Sequence, residues 1–207
     1  MLEIAILLFL IVLMVSWFIY IFCKRVIYKL NKRVLPRNLA IVKNGPYMAK
    51  FEELTVEEIR QKLILPMFMI LGYNTYDMRE FQSFIGRADF LPDYVVKKWD
   101  HSKLAKNALS VKYIPFKEDA VGYSNNTYDE KYGAKLSVLM DKLYFKSEYY
   151  VLTNGCIYLF FNKNTNLDSR RFEFAFNLKS YSKQDTARLA YYTKQYLFLE
   201  LSDVYRA

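Results

Sequence analysis

Residues 4–23 carry no charge and, apart from Ser16, are all apolar or aromatic. A helix of about 20 such residues is long enough to cross a hydrocarbon core of roughly 30 Å. Trp17 and Tyr20 stand near one end of the run, where an interfacial aromatic belt belongs. A cleaved signal peptide needs basic residues before a shorter apolar core and a small-residue cleavage site after it. Here the bases come after the run and no such site follows. The reading is a membrane anchor, one transmembrane helix over residues 1–23.

The charge distribution orients that helix. Residues 1–37 hold six bases (Lys24, Arg25, Lys29, Lys32, Arg33, Arg37) against the single acid Glu3. Bases flanking one end of a span mark the cytoplasmic side. The chain is therefore expected in the inner cell membrane, single-pass, with a short outer N-terminus and a cytoplasmic C-terminal domain. Residues 24–50 read as a basic juxtamembrane segment and linker. Within it, 26–34 suits a basic helix on an anionic leaflet, Pro36 is expected to end that helix, and 37–50, with Asn44-Gly45-Pro46, reads as linker.

Residues 51–207 are long enough for one domain with a real core, since the chain is 53% hydrophobic and 18% aromatic. Most of the formal net charge of +9 sits beside the apolar N-terminus, so charge alone does not mark the body as a nucleic-acid binder. Two cysteines, Cys23 and Cys156, are too few for a disulfide framework. Cys23 suits either packing in an apolar helix or acylation. His101, the single histidine, reads as a turn residue, available for catalysis but without the spacing of a triad. No glycine-rich phosphate loop is present, which argues against nucleotide hydrolysis.

Thr55-Val56-Glu57-Glu58 has capping-box spacing, and Ile59, Leu63, Met67 and Ile70 continue it as an amphipathic helix. Pro66 is expected to kink or split the helix and Gly72 to cap it. Pro92-Asp93-Tyr94-Val95-Val96 and Ala108-Leu109-Ser110-Val111-Lys112-Tyr113-Ile114 are two β-prone runs around a polar turn at 97–103, the pattern of an antiparallel pair. An Asp and a Lys on adjacent strands can meet at one point. There the Asp can hold a divalent metal and the Lys can stabilise developing negative charge. The plainer alternative is a pair of solvated strand faces. Beyond them, 118–133 reads as a long loop and 134–145 as a helix. Residues 149–161 read as a hairpin about Asn154-Gly155, 164–178 as a polar loop with an aromatic strand, and 183–201 as a C-terminal helix.

Taken together these segments resemble a known family. Glu57-Glu58-Ile59-Arg60-Gln61-Lys62-Leu63-Ile64-Leu65-Pro66 with Leu71-Gly72-Tyr73, then Met78-Arg79-Glu80-Phe81, Pro92-Asp93, and Leu152-Thr153-Asn154-Gly155 are similar to the N-terminal nuclease domain of type I restriction enzyme R subunits. The resemblance covers roughly residues 52–200. It implies an α/β fold, a restriction-endonuclease-like mixed sheet flanked by helices, preceded here by the transmembrane helix. It also implies Asp93, with Asp89 as second candidate, as the metal-position acid. Glu58, its neighbour Glu57 and Glu80 are candidates for the second metal ligand, Glu58 first among them, and Glu80 and Lys112 complete the catalytic set, with Mg²⁺ as cofactor if the site is active. Two departures stand out. Ser110 occupies the position of the family's second acid, two residues before the lysine, and the family's glutamine–tyrosine pair on the following helix is missing.

Three functions follow as expectations: a membrane-anchored nuclease-like protein that binds nucleic acid, DNA above all, with weak or no cleavage, in defence against foreign DNA; an active Mg²⁺-dependent endonuclease with a relocated acid such as Glu80; or a non-enzymatic membrane-bound interaction scaffold. The membrane is a partner in all three.

Overall fold

The structure, a computed structural model, describes residues 2–86, 91–99, 105–123, 126–129, 131–132, 137, 146–165 and 171–203. Asp89, His101 and most of the helix expected at 134–145 lie outside the described residues.

One continuous helix, α1, runs Leu2–Lys43 with Pro36 inside it. Its first part is long and apolar enough to cross a membrane, and the side chains from Ile6 to Ile19 stand exposed. Its second part belongs to the body. Leu35 and Leu39 are buried at 2% and 0% exposure, Tyr28 stacks on Tyr191 at 4.9 Å, and Asn31 Nδ2 donates to Thr193 Oγ1 at 2.8 Å. The helix stop expected at Pro36 and the linker expected from residue 37 are not what forms. A proline in a helix interior costs about 3 kcal/mol. Burial of two leucines on the same stretch offsets a cost of that size.

The second long helix, α2, is built from Val56–Ile59, a wider turn Arg60–Ile64 and Leu65–Ile70. Thr55 caps it through a full capping box with Glu58. Pro66 does not split it, but the helix is locally distorted just before the proline. The preceding turn widens so that Leu65 N–H reaches back five residues to Arg60 O, a local loosening that admits the ring. Ile59, Leu63, Ile64, Met67 and Phe68 form its buried face.

The six-stranded sheet contains β1 (Phe81–Ser83), β2 (Tyr94–Trp99), β3 (Ala105–Tyr113), β6 (Tyr149–Thr153), β7 (Ile157–Asn162) and β8 (Phe174–Asn177), in the order β1-β2-β3-β6-β7-β8. Every neighbouring pair is antiparallel except β3 and β6, which are parallel. The fold is therefore α/β with a mixed sheet. The β2–β3 pairing has the expected sense, but β2 extends through Lys97 and Lys98 to Trp99, which the polar composition had suggested were turn. The stretch expected as a loop at 118–133 contains a small ladder of β4 (Val121–Gly122) and β5 (Thr127–Tyr128). The C-terminal helix is two: α3 (Lys183–Leu189) and α4 (Lys194–Asp203), separated at Thr193.

The β6–β7 turn explains the Leu-Thr-Asn-Gly segment physically. Asn154 Oδ1 accepts from the N–H groups of Cys156 and Ile157 (2.9 and 2.7 Å), and its Nδ2 donates to Phe116 O (2.8 Å). Gly155 has φ +94°, and a Cβ there would lie 2.3 Å from Ile59 Cγ2. The glycine lets α2 press onto the end of the sheet.

These contacts give the sheet two distinct ends. α2 starts at the end holding the β6–β7 turn and the last residues of β3. It finishes near Lys194, whose N–H donates to Leu71 O (2.9 Å). α1 runs the other way, from the Tyr196 end, where Lys24 lies 4.9 Å over the ring, to Lys43 over Tyr181.

Candidate functional site

The site forms at the end of the sheet where β2 begins and β3 finishes. Asp93 N–H donates to Val111 O at 2.8 Å, so the acid continues the β2–β3 ladder by one residue and faces Lys112. Lys112 Nζ stands 3.7 Å from Asp93 Oδ1 and donates to Leu91 O at 2.7 Å. The two groups the sequence pairs therefore converge.

A third group joins them. Arg60 Nη2 lies 3.0 Å from Asp93 Oδ1, and its guanidinium covers the Tyr113 ring at 5.6 Å. Packing of Ile59 on Gly155 fixes the rotation of α2 and so aims Arg60 at the strand ends. Asp93 Oδ2 is also engaged, accepting from Tyr113 N–H at 2.5 Å. The carboxylate is only 3% exposed and is satisfied by two cations and a backbone donor. Arg60 Nε is buried without a hydrogen-bond partner among the described residues. Buried Asp93 thus faces two cations, and Arg60 reaches a second acid, the exposed Glu57, only at 3.9 Å. Tyr94 and Tyr113 flank it, and burial raises both hydroxyl pKa values, so both stay neutral donors at physiological pH.

Ser110 lies on the same strand face as Lys112, two residues back. It is fully buried, and its Oγ lies 2.8 Å from Ser147 Oγ, while Ser147 N–H donates to the Tyr150 hydroxyl at 3.0 Å. The space a longer acid at 110 would enter is filled by this hydroxyl pair.

The other expected residues are not brought to Asp93. Glu80 precedes β1 rather than lying within a strand. Its Oε2 accepts from Lys194 Nζ (2.5 Å) and its Oε1 from Asn74 N–H (2.9 Å). Its backbone carbonyl pairs with Lys97 N–H, toward the other end of β2. Glu58 uses its carboxylate at the start of α2. Hydrogen bonds from Thr55 Oγ1 and N–H (2.7 and 2.9 Å) hold its pKa below the usual carboxylate value. Glu57 lies 3.9 Å from Arg60 on the exposed side.

The donor set does not suit Mg²⁺, which wants oxygen ligands from one or two carboxylates in near-octahedral array. Here the one buried carboxylate already faces a guanidinium and an ammonium. No three His, Cys, Asp or Glu side chains gather at metal-binding distance among the described residues.

Arg60 is the residue that sequence reasoning missed. Its position could have flagged it, because Arg60, Ile64 and Met67 form one row on α2 and the latter two are buried. Beyond the end of β3 opens a cleft of about 460 Å³, whose lining includes Lys117, Asp119, Asp129, Lys131 and Tyr132. No family model matches this chain, and comparison with curated proteins and with solved structures gives no match either.

Proposed function

We propose that this chain is a membrane-anchored, restriction-endonuclease-like domain that binds the phosphate backbone of nucleic acid and cleaves it weakly or not at all. The observation that carries the reading is the Arg60–Asp93 contact at 3.0 Å: a cation stands where a nuclease would place its metal. The strand order supports the fold assignment. A capped helix precedes an antiparallel β1-β2-β3 meander, and the next strand of the sheet lies parallel to β3. Asp93 leads β2 and Lys112 rides β3, as the resemblance implies.

Arg60 and Lys112 offer donors in a half-buried setting, where phosphate contacts are stronger than on an open surface. The neighbouring cleft sets Lys117, Lys131 and Tyr132 beside Asp119 and Asp129, the last 3.3 Å from Lys131, so it adds a ring for stacking but no excess of positive charge. The relocated-acid nuclease draws no support from Glu80, which is held by Lys194 and Asn74.

The test uses the full chain in nanodiscs. Binding of labelled single- and double-stranded DNA and of RNA is followed across a salt series, with and without Mg²⁺. The expected result is a linear fall of log K with log salt, and a slope smaller by about 1 in Lys112→Gln. Mg²⁺-dependent cleavage lost in Asp93→Ala would establish the active endonuclease instead. Absence of binding at low salt would leave the interaction scaffold.

A further inference from the structure

The end of the body next to the apolar part of α1 carries exposed apolar groups. If residues 4–23 span the hydrocarbon, Tyr28 lies five residues past the span, about 7 Å along the helix axis. The headgroup layer on each side of a bilayer is about 5–7 Å thick. Tyr28 stacks on Tyr191, which packs edge-on against Tyr196 at 4.9 Å, so these rings sit at headgroup depth. Tyr191 is 43% exposed.

The turn at 74–80 lies at this same end. Glu80 ties it to Lys194, two residues before Tyr196, and to the Lys97 half of β2. At its tip Tyr76 and Met78 are 83% and 79% exposed, the most open large apolar side chains among the described residues. The turn is not loose. Asn74 Oδ1 accepts from Tyr76 N–H (3.2 Å), Asp77 O accepts from Phe81 N–H (2.8 Å), and Glu80 Oε1 accepts from Asn74 N–H (2.9 Å). Two apolar side chains are thus held outward by a braced backbone, with Asp77 between them engaged by the following Arg79 at 3.2 Å. On α1 the exposed Arg25 and Lys29 follow the span directly.

We propose that the turn at 74–80 is a second membrane contact: Tyr76 and Met78 insert into the headgroup layer of the bilayer that α1 crosses, and Arg25 and Lys29 meet its anionic lipids. This rests on the reading of α1 as a span. Aromatic rings and flanking bases are the groups that favour that layer. The candidate site lies toward the other end of β2, where Phe84 N–H donates to Asp93 O, four strand residues or about 13 Å from the Glu80–Lys97 pairing.

The test reconstitutes the full chain, with Cys23→Ser, into phosphatidylcholine vesicles with and without phosphatidylglycerol. Cys156 is 3% exposed and stays unlabelled in the folded chain. An environment-sensitive fluorophore is placed in turn at Tyr76→Cys, Met78→Cys, Leu13→Cys and Glu52→Cys. Glu52 is an exposed position at the site end of the body. The expected result is blue-shifted emission at 76 and 78, quenched by headgroup-borne spin labels and more strongly with phosphatidylglycerol. The probe at 13 should respond only to acyl-chain quenchers, and the probe at 52 only to aqueous ones. A probe at 13 buried in the chains with 76 and 78 behaving like 52 overturns the second contact and leaves the span intact. A probe at 13 that aqueous quenchers reach overturns both.

Discussion

Arg60 Nη2 and Asp93 Oδ1 stand 3.0 Å apart at the end of the sheet, joining the first helix of the body to the head of β2. Removing one partner of a buried ion pair strands the other, typically at about 3–5 kcal/mol. Lys112 and the Tyr113 N–H remain beside Asp93. Arg60→Ala is therefore expected near the low end of that range, measured by urea denaturation. The same substitution exposes the carboxylate to cations. Mg²⁺ should leave the melting temperature of the parent chain unchanged and raise that of Arg60→Ala, since a ligand stabilises only the state that binds it. A Mg²⁺-dependent rise in the parent chain would refute the view that the guanidinium holds the metal position.

Gly155→Ala meets two penalties at once. Its φ of +94° disfavours any Cβ, and that Cβ would stand 2.3 Å from Ile59 Cγ2. Overpacking costs about 1–3 kcal/mol and a left-handed backbone about 1–2 kcal/mol more. A loss of about 3 kcal/mol is expected. Adding Ile59→Ala should restore part of the steric share and none of the backbone share. Simple additivity in the double mutant would show that the two residues do not press on each other.

Leu39→Ala and Leu10→Ala separate the two halves of α1. Leu39 is fully buried against the body, so its truncation is expected to cost about 2–5 kcal/mol. Leu10 is 52% exposed, and its truncation should leave body stability unchanged. Equal and small effects in thermal unfolding would return the segment after residue 37 to the status of a linker.

Burial pushes the Cys156 thiol up to about 11 from an ordinary 9.0. The folded state thus holds this proton more tightly than the unfolded chain. Its contribution to stability is full below pH 9 and is lost as pH rises toward 11. Buried Tyr73, Tyr158 and Tyr192 are raised in the same way and add to the loss above pH 10. Cys156→Ala should flatten the fall in stability between pH 9 and 10, followed by chemical denaturation at several pH values. An unchanged slope would show that the thiol does not titrate on unfolding.

Much of the body was legible because local chemistry and tertiary packing agree there. The Thr55 capping box, the β2–β3 pairing and the β6–β7 hairpin follow from spacing alone. Asp93 and Lys112 could be paired because strand neighbours meet at a register the pattern sets. What stayed hidden was decided by partners distant in sequence. Pro36 reads as a stop until Leu35 and Leu39 find the body beneath them. Lys97 and Lys98 read as turn until β3 extends to meet them. Arg60 stayed out of the candidate set because only the close approach of α2 to Gly155 brings it to Asp93. Glu80 reads as a site acid until Lys194, 114 residues later, claims it.

If the apolar part of α1 spans a bilayer, its unbroken course through Pro36 makes that span and the body a single lever. A spanning helix tilts by about 20° on average to match bilayer thickness. Over the roughly 28 Å from Lys24 to Lys43, such a tilt would swing the far end of the body sideways by about 10 Å. With no hinge to absorb that motion, local lipid thickness would set where the Arg60–Asp93 cluster points, and a thicker or thinner patch of membrane would re-aim it without any change within the domain.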